Sequence, residues 1–138
     1  MKGREVKRRV APRAIGKLKH RIRRITRRSG GRSIGQVAQE LRRFLLGWRE
    51  YFKLADTPGV FRALDAWIRR RLRMLQLKHW KRGPAALRAM LARGVPLDVA
   101  RKVTPNVSRW WHTSKHLGLS MAMPDKYFDA LGVPRLAA

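Results

Sequence analysis

The sequence has 138 residues, 34 of them Lys or Arg against 8 Asp or Glu, and its formal net charge of +26 calls for a partner that brings negative charge, RNA or DNA first of all. Hydrophobic residues at 44%, with five Trp, four Phe and two Tyr, are too many for a disordered basic tail and enough for one modest core. The lack of Cys excludes a disulfide framework, thiolate zinc and thiol catalysis, and apolar runs such as Phe44-Leu45-Leu46 are far too short to span a bilayer.

Positive charge is densest at the start, where residues 1–33 hold fourteen basic groups and one acid. Met1-Lys2-Gly3-Arg4 is followed by no apolar run, so the start is not a secretory signal and an intracellular protein is expected. Residues 1–11 read as a basic arm. A first helix is expected from Pro12, with Ile15, Leu18, Ile22 and Ile25 on a narrow seam, ended by Ser29-Gly30-Gly31. Its other faces carry Lys17, Lys19, Arg21, Arg23, Arg24, Arg27 and Arg28. Ser33 three residues before Gln36 is a capping-box pattern. It opens a second helix whose stripe runs Ile34, Val37, Leu41, Leu45, Trp48, Tyr51, Phe52 and Ala55, leaving Arg42, Arg43, Arg49 and Lys53 off the stripe.

Thr57-Pro58 restarts the chain as N-cap and first helical residue. Val60, Phe61, Leu64, Trp67, Ile68, Leu72 and Leu75 then recur at intervals of three and four along a third helix. Its second half holds Arg69, Arg70, Arg71, Arg73, Lys78, Lys81 and Arg82, more cations than the helix dipole needs at a C-terminus. Gly83-Pro84 breaks the pattern, and a short helix over 85–93 closes at Gly94. Further helical pieces are expected over 96–103 and 105–115, a loop over 118–123 and a last turn or two over 124–131. No stretch alternates as a strand does. The expectation is an all-α fold: a three-helix core over 12–82 and a short-helix C-terminal annex over 83–138.

Metal-dependent phosphoryl transfer needs gathered carboxylates. The eight acids are spread along the chain. Asp125 and Asp129 have i,i+4 spacing suited to capping a short helix, and Asp56 and Asp65 fit the local electrostatics of a helix start. His112 and His116 have the spacing of half a zinc site, with no third ligand in view. No nucleophile elbow and no Walker A loop is present. Ser29-Gly30-Gly31-Arg32-Ser33 suits an interhelical turn, with a single phosphate on backbone N–H groups as the other use. No metal, cofactor or catalytic residue is expected. The chemistry left is that of cations, 24 of 34 being Arg, whose planar fork holds phosphate bidentately and stacks on bases. High-GC coding would produce the same skew. Aromatic residues sit among the cations at Lys78-His79-Trp80-Lys81-Arg82 and Arg109-Trp110-Trp111-His112, a pattern for stacking on unpaired bases or for closing a core at its edge.

Five blocks carry a resemblance: Ile22-Arg23-Arg24-Ile25-Thr26-Arg27-Arg28; Gly31-Arg32-Ser33; Leu45-Leu46-Gly47-Trp48-Arg49-Glu50-Tyr51-Phe52; Leu64-Asp65-Ala66-Trp67-Ile68-Arg69-Arg70-Arg71-Leu72-Arg73; and Trp80-Lys81-Arg82. In order and spacing the set resembles the maturase-specific (thumb, or X) domain of group II intron reverse transcriptases and maturases. The tail, with Trp110-Trp111 and Tyr127-Phe128-Asp129-Ala130-Leu131-Gly132, is similar to the C-terminal end of bacterial members. The resemblance implies a helical thumb that binds structured intron RNA and promotes its splicing-competent fold. It implies RNA-facing roles for Arg23, Arg24, Arg27, Arg28, Arg69, Arg70, Arg71, Arg73, Lys81 and Arg82, and core roles for Trp48, Tyr51, Phe52 and Trp67. Arg32, Arg42, Arg43, Arg49, Lys78, Trp80, Arg109 and Trp111 complete the expected RNA-binding set.

The Tyr-x-Asp-Asp polymerase motif is missing from the sequence, so polymerase activity is not expected of this chain alone. The expected partners are structured, group II intron-like RNA and a separately encoded reverse transcriptase or other ribonucleoprotein subunits, with no membrane, in a bacterial-type cytoplasm in association with RNA or the nucleoid. Two other readings stay open. One is a structural component of a larger ribonucleoprotein without maturase activity. The other is a duplex DNA binder, for which no helix-turn-helix recognition segment is evident.

Overall fold

The computed structural model describes residues 12–27, 31–54 and 58–137, apart from the side chains of Arg49, Phe52, Leu54 and Pro58, and the described residues form an all-α fold. Helix α1 (Pro12–Ile25) buries Leu18, Ile22 and Ile25 of the expected seam and leaves Ile15 half-buried. Helix α2 (Ile34–Leu46) starts with the expected reciprocal cap. The Ser33 hydroxyl accepts from the Gln36 N–H at 3.1 Å, and the Gln36 side chain accepts from the Ser33 N–H at 2.8 Å. It buries Ile34, Val37, Ala38, Leu41 and Leu45.

The second helix does not run unbroken to Ala55. It stops at Leu46, and a separate short helix, α3, spans Arg49–Leu54. At the break the Gly47 N–H donates to Phe44 O and the Trp48 N–H to Leu45 O, i→i−3 bonds that tighten the last turn. Glycine forgoes helix propensity at this point, and Trp48 packs edge-to-face on Phe44 at 6.4 Å and on Tyr51 at 5.4 Å. The aromatic corner holds α3 to α2 without a continuous backbone ladder.

Helix α4 (Pro58–Trp80, 23 residues) is ~35 Å long and forms the axis of the molecule. Phe61, Leu64, Ile68, Leu72 and Leu75 are buried as the three-and-four spacing predicts. Met74, Gln76 and Leu77 are buried too, so the second half of α4 is covered on more than one side. The chain leaves α4 through Lys81 at φ 67, a left-handed conformation that costs a non-glycine residue about 1–2 kcal/mol. Gly83 then sits so close to Thr104 that a Cβ there would meet its Cγ2 at 2.8 Å. The close approach accounts for the absence of a side chain at this position.

The C-terminal part comprises α5 (Gly83–Ala92), α6 (Leu97–Val103), a 3-10 turn (Thr104–Asn106), α7 (Trp110–Thr113), α8 (Leu117–Ala122) and α9 (Asp125–Ala130). The stretch expected as a loop over 118–123 is helical. His116 caps it, its side chain accepting from the Gly118 N–H at 3.0 Å. The piece expected over 105–115 is instead a 3-10 turn followed by the short α7. Met90, Val103, Leu119, Met123, Phe128 and Val133 belong to one hydrophobic cluster with Leu18, Leu41 and Leu72. Helix α4 lies between α1–α2 and α5–α7, packed on both. No helix among the described residues is long and apolar enough to cross a membrane.

Candidate nucleic-acid interface

Arg69, Arg70, Arg71 and Arg73 of α4 point in different directions because one turn of helix spreads consecutive side chains around the axis. Arg69 turns inward and is only 1% exposed. Its guanidinium lies 3.7 Å from the Asp65 carboxylate and 3.2 Å from that of Asp129, and it also donates to Val133 O at 3.4 Å. Its Nε has no hydrogen-bond partner among the described residues. Arg69 was expected to face RNA, and burial removes it from the surface: it is the internal counter-ion of Asp65 and Asp129.

Its neighbours are partly committed inside the fold as well. Arg70 donates to Ser114 Oγ at 3.0 Å and to Trp111 O at 2.7 Å, and stacks 3.7 Å above the Trp111 ring. Arg73 donates to Met123 O at 2.9 Å and to Asp125 at 3.1 Å. Burial lowers the affinity of both guanidinium groups for their protons, and Asp125 opposes that for Arg73. Both groups stay charged, since arginine does not deprotonate in proteins. Arg69, Arg70 and Arg73 thus tie α4 to the C-terminal segment.

Asp65, read as a helix-start acid, accepts the backbone N–H groups of Leu136 at 2.8 Å and Ala137 at 3.0 Å, a long-range anchor for the tail. Arg135 grips Asp129 through two bonds at 2.9 and 2.8 Å and, with Arg69, holds that carboxyl below its ordinary proton affinity.

Arg71 faces the other way, toward α1. Its Nε donates at 2.7 Å to the buried hydroxyl of Thr26, which itself donates to Ile22 O at 2.7 Å. The Arg71 guanidinium lies 5.6 Å from the centre of the Trp67 ring, and Arg23 and Lys19 of α1 lie 5.3 and 5.5 Å from the same ring. Three cations therefore surround one half-buried indole, within the ~6 Å reach of cation–π attraction. Burial first, and then the charges of Arg23 and Arg27, push the proton affinity of Arg71 down. Among the described residues, no carboxylate pairs with Lys19, Arg23, Arg27 or Arg71. Like charges held this close on a rigid surface repel one another until an anion arrives. The exposed Arg24 extends this uncompensated charge along α1.

The other expected residues scatter. Arg32 donates to the Ile25 carbonyl at 2.7 Å and pairs with Glu40, which makes it the clasp between α1 and α2. Arg42 and Arg43 are exposed on α2, and Arg42 reaches Gly132 O at 3.2 Å. Lys78 lies 4.8 Å over Trp110, while Trp80 packs on the core beneath Arg93. Lys81, Arg82 and Arg109 are exposed, and Trp111 is 39% exposed. Arg28 and the Arg49 side chain lie outside the described residues.

Two members of the cluster were not in the expected binding set. Lys19 was one of the seven cations noted on the first expected helix, with nothing to single it out, and Trp67 was assigned to the core. Thr26 had a readable signal: it stands four residues after Ile22, on the buried seam, where a hydroxyl needs a partner.

The model of the family described as group II intron, maturase-specific domain matches residues 15–93, from α1 to the end of α5. No curated protein matches the chain. The matched stretch contains every residue of the Trp67 cluster.

Proposed function

Since the chain belongs to the family of group II intron maturase-specific domains, we propose that it binds folded intron RNA through the α1–α4 cationic face and promotes a splicing-competent RNA fold, alone or beside a separately encoded reverse transcriptase. The observation that carries this is the convergence of Lys19, Arg23 and Arg71 on Trp67, with no carboxylate among the described residues to neutralise them. Guanidinium groups fixed in this way neutralise phosphates of a shaped RNA without reading its bases. Assistance to splicing then amounts to stabilising the RNA conformation that presents those phosphates at the matching spacing. The chain acts as a binder and not as a polymerase in this reading.

The test is intron RNA binding measured across a salt series. Each phosphate contact releases counterions, so the affinity of the wild type should fall steeply with salt. The Lys19→Gln/Arg23→Gln/Arg27→Gln variant should keep its helical content and lose about one unit of salt slope per residue replaced. An unchanged slope in that variant sinks the assignment of this face. A chain that binds intron RNA and leaves its splicing rate unaltered belongs instead to a structural ribonucleoprotein role.

A further inference from the structure

Beyond the stretch that the family model covers, a cleft of about 260 Å³ opens between the end of α6 and α7, lined by Lys102, Asn106, His112, Thr113, Lys115 and His116. We propose that this cleft is a second anion site, built to receive a single phosphate group. Its volume exceeds the ~30 Å³ share of one water many times over, leaving room for a phosphate with part of its hydration shell.

The hydrogen-bonding state of the lining decides what kind of ligand fits. The Thr113 hydroxyl donates to Asn106 O at 2.6 Å, so its hydrogen is already engaged within the fold. His116 Nδ1 accepts the Gly118 N–H at 3.0 Å, so the neutral ring carries its proton on Nε2 and offers a donor. The side chains of Lys102, Lys115, His112 and Asn106 make no hydrogen bond or ion pair with the described residues. Asp98, one turn before Lys102 on α6, makes no ion pair with the described residues either. The cleft therefore presents a surplus of free donors and two ammonium charges.

A metal ion is the wrong occupant, because one imidazole has spent its Nδ1 lone pair on a helix cap and the two ammonium groups repel a cation. Among the described residues no three His, Asp or Glu side chains stand within metal-binding reach of one another. An oxyanion with three or more acceptor atoms satisfies the same donors at once. The source of the phosphate rests on the RNA reading above: it is a backbone diester of the bound RNA or a terminal monoester. The chemistry of the cleft does not depend on that reading.

The experiment follows the imidazole NMR signals of His112 and His116 in the full chain. Inorganic phosphate is added at constant ionic strength against sodium chloride, and then a 5′-phosphorylated and an unphosphorylated oligoribonucleotide. Phosphate should move both signals saturably, and Lys102→Gln/Lys115→Gln should weaken that binding at least tenfold. His116→Asn keeps a side-chain acceptor at the start of α8 and removes the ring, so it should lose several-fold in phosphate affinity at unchanged helical content. Equal effects of the two oligonucleotides assign a backbone diester, and preference for the phosphorylated one assigns a terminal phosphate; each supports the site. Signals that follow ionic strength alone, or respond equally in Lys102→Gln/Lys115→Gln, overturn it. Intron RNA held by α1–α4 with silent cleft histidines would remove this inference alone. Phosphate in the cleft of a chain that ignores intron RNA would remove the proposed function alone.

Discussion

Arg69 and Arg23 are identical in composition and opposite in role, and the difference is set by what lies within 4 Å. Arg69 is buried beside Asp65 and also reaches the exposed Asp129, so Arg69→Ala leaves the buried Asp65 carboxylate without its counter-charge and should cost about 3–5 kcal/mol in urea unfolding. Arg23→Ala removes an exposed cation and should stay within about 0.5 kcal/mol of the wild type. Equal midpoints for the two variants would contradict the buried assignment. Asp129 gives the same region an acid sensitivity. Arg135, burial and Arg69 act on it together and leave its proton affinity lower than in the unfolded chain. A carboxyl depressed in this way contributes stability above its ordinary value of 3.8, and the contribution is lost as pH falls through the lower, folded value. Arg135→Gln should move the NMR titration of Asp129 upward, and acid unfolding should begin at higher pH. A titration that stays in place would show that Arg135 is not the dominant cause.

At the scale of elements, the sequence was most informative where a signal is local. The Ser33–Gln36 box needs only a three-residue spacing, and it forms as written. Ser33→Ala should therefore cost about 1 kcal/mol, read as a lower urea midpoint with an unchanged m-value. The buried seams of α1, α2 and α4 were legible for the same reason, since helical period alone selects Leu18, Leu41 and Ile68. The break at Gly47 was not, because the apolar stripe continues through Trp48 and Tyr51 and only the i→i−3 bonds end the helix. Nor was the division of labour along Arg69–Arg73. Its partners Asp129, Ser114, Thr26 and Met123 lie 44 or more residues away in sequence, beyond any local spacing rule. The candidate site was legible as a helix-borne arginine surface, since charge is densest in the N-terminal third and arginines of both the first and the third expected helix were assigned to RNA. What no local rule could show is that the C-terminal segment engages Arg69, Arg70 and Arg73 of α4, whereas Arg23 and Arg24 of α1 stay exposed.

The whole molecule carries +26 with few acids to offset it, and several of those acids are already engaged with Arg32, Arg69, Arg73 and Arg135. Self-repulsion should then be a real destabilising component of the free protein, and salt acts on it directly. The Debye length falls from ~10 Å at 0.1 M to ~3 Å at 1 M, shorter than the spacing of most surface cations. Raising sodium chloride over that range should raise the melting temperature of the free chain, while the same change weakens its hold on RNA by displacing the benefit of counterion release. The opposite signs matter because a single cause drives both: an exposed cationic surface held together by an internal apolar and ion-paired frame. Saturating RNA at low salt should stabilise the protein as salt does, since it supplies the missing negative charge, and its effect should fade as salt is added. A melting temperature that falls with salt in the free chain would mean that the Asp65, Asp125 and Asp129 pairs outweigh the repulsion. The frame would then be the electrostatically dominant part of the molecule, and the surface would be stable without a polyanion.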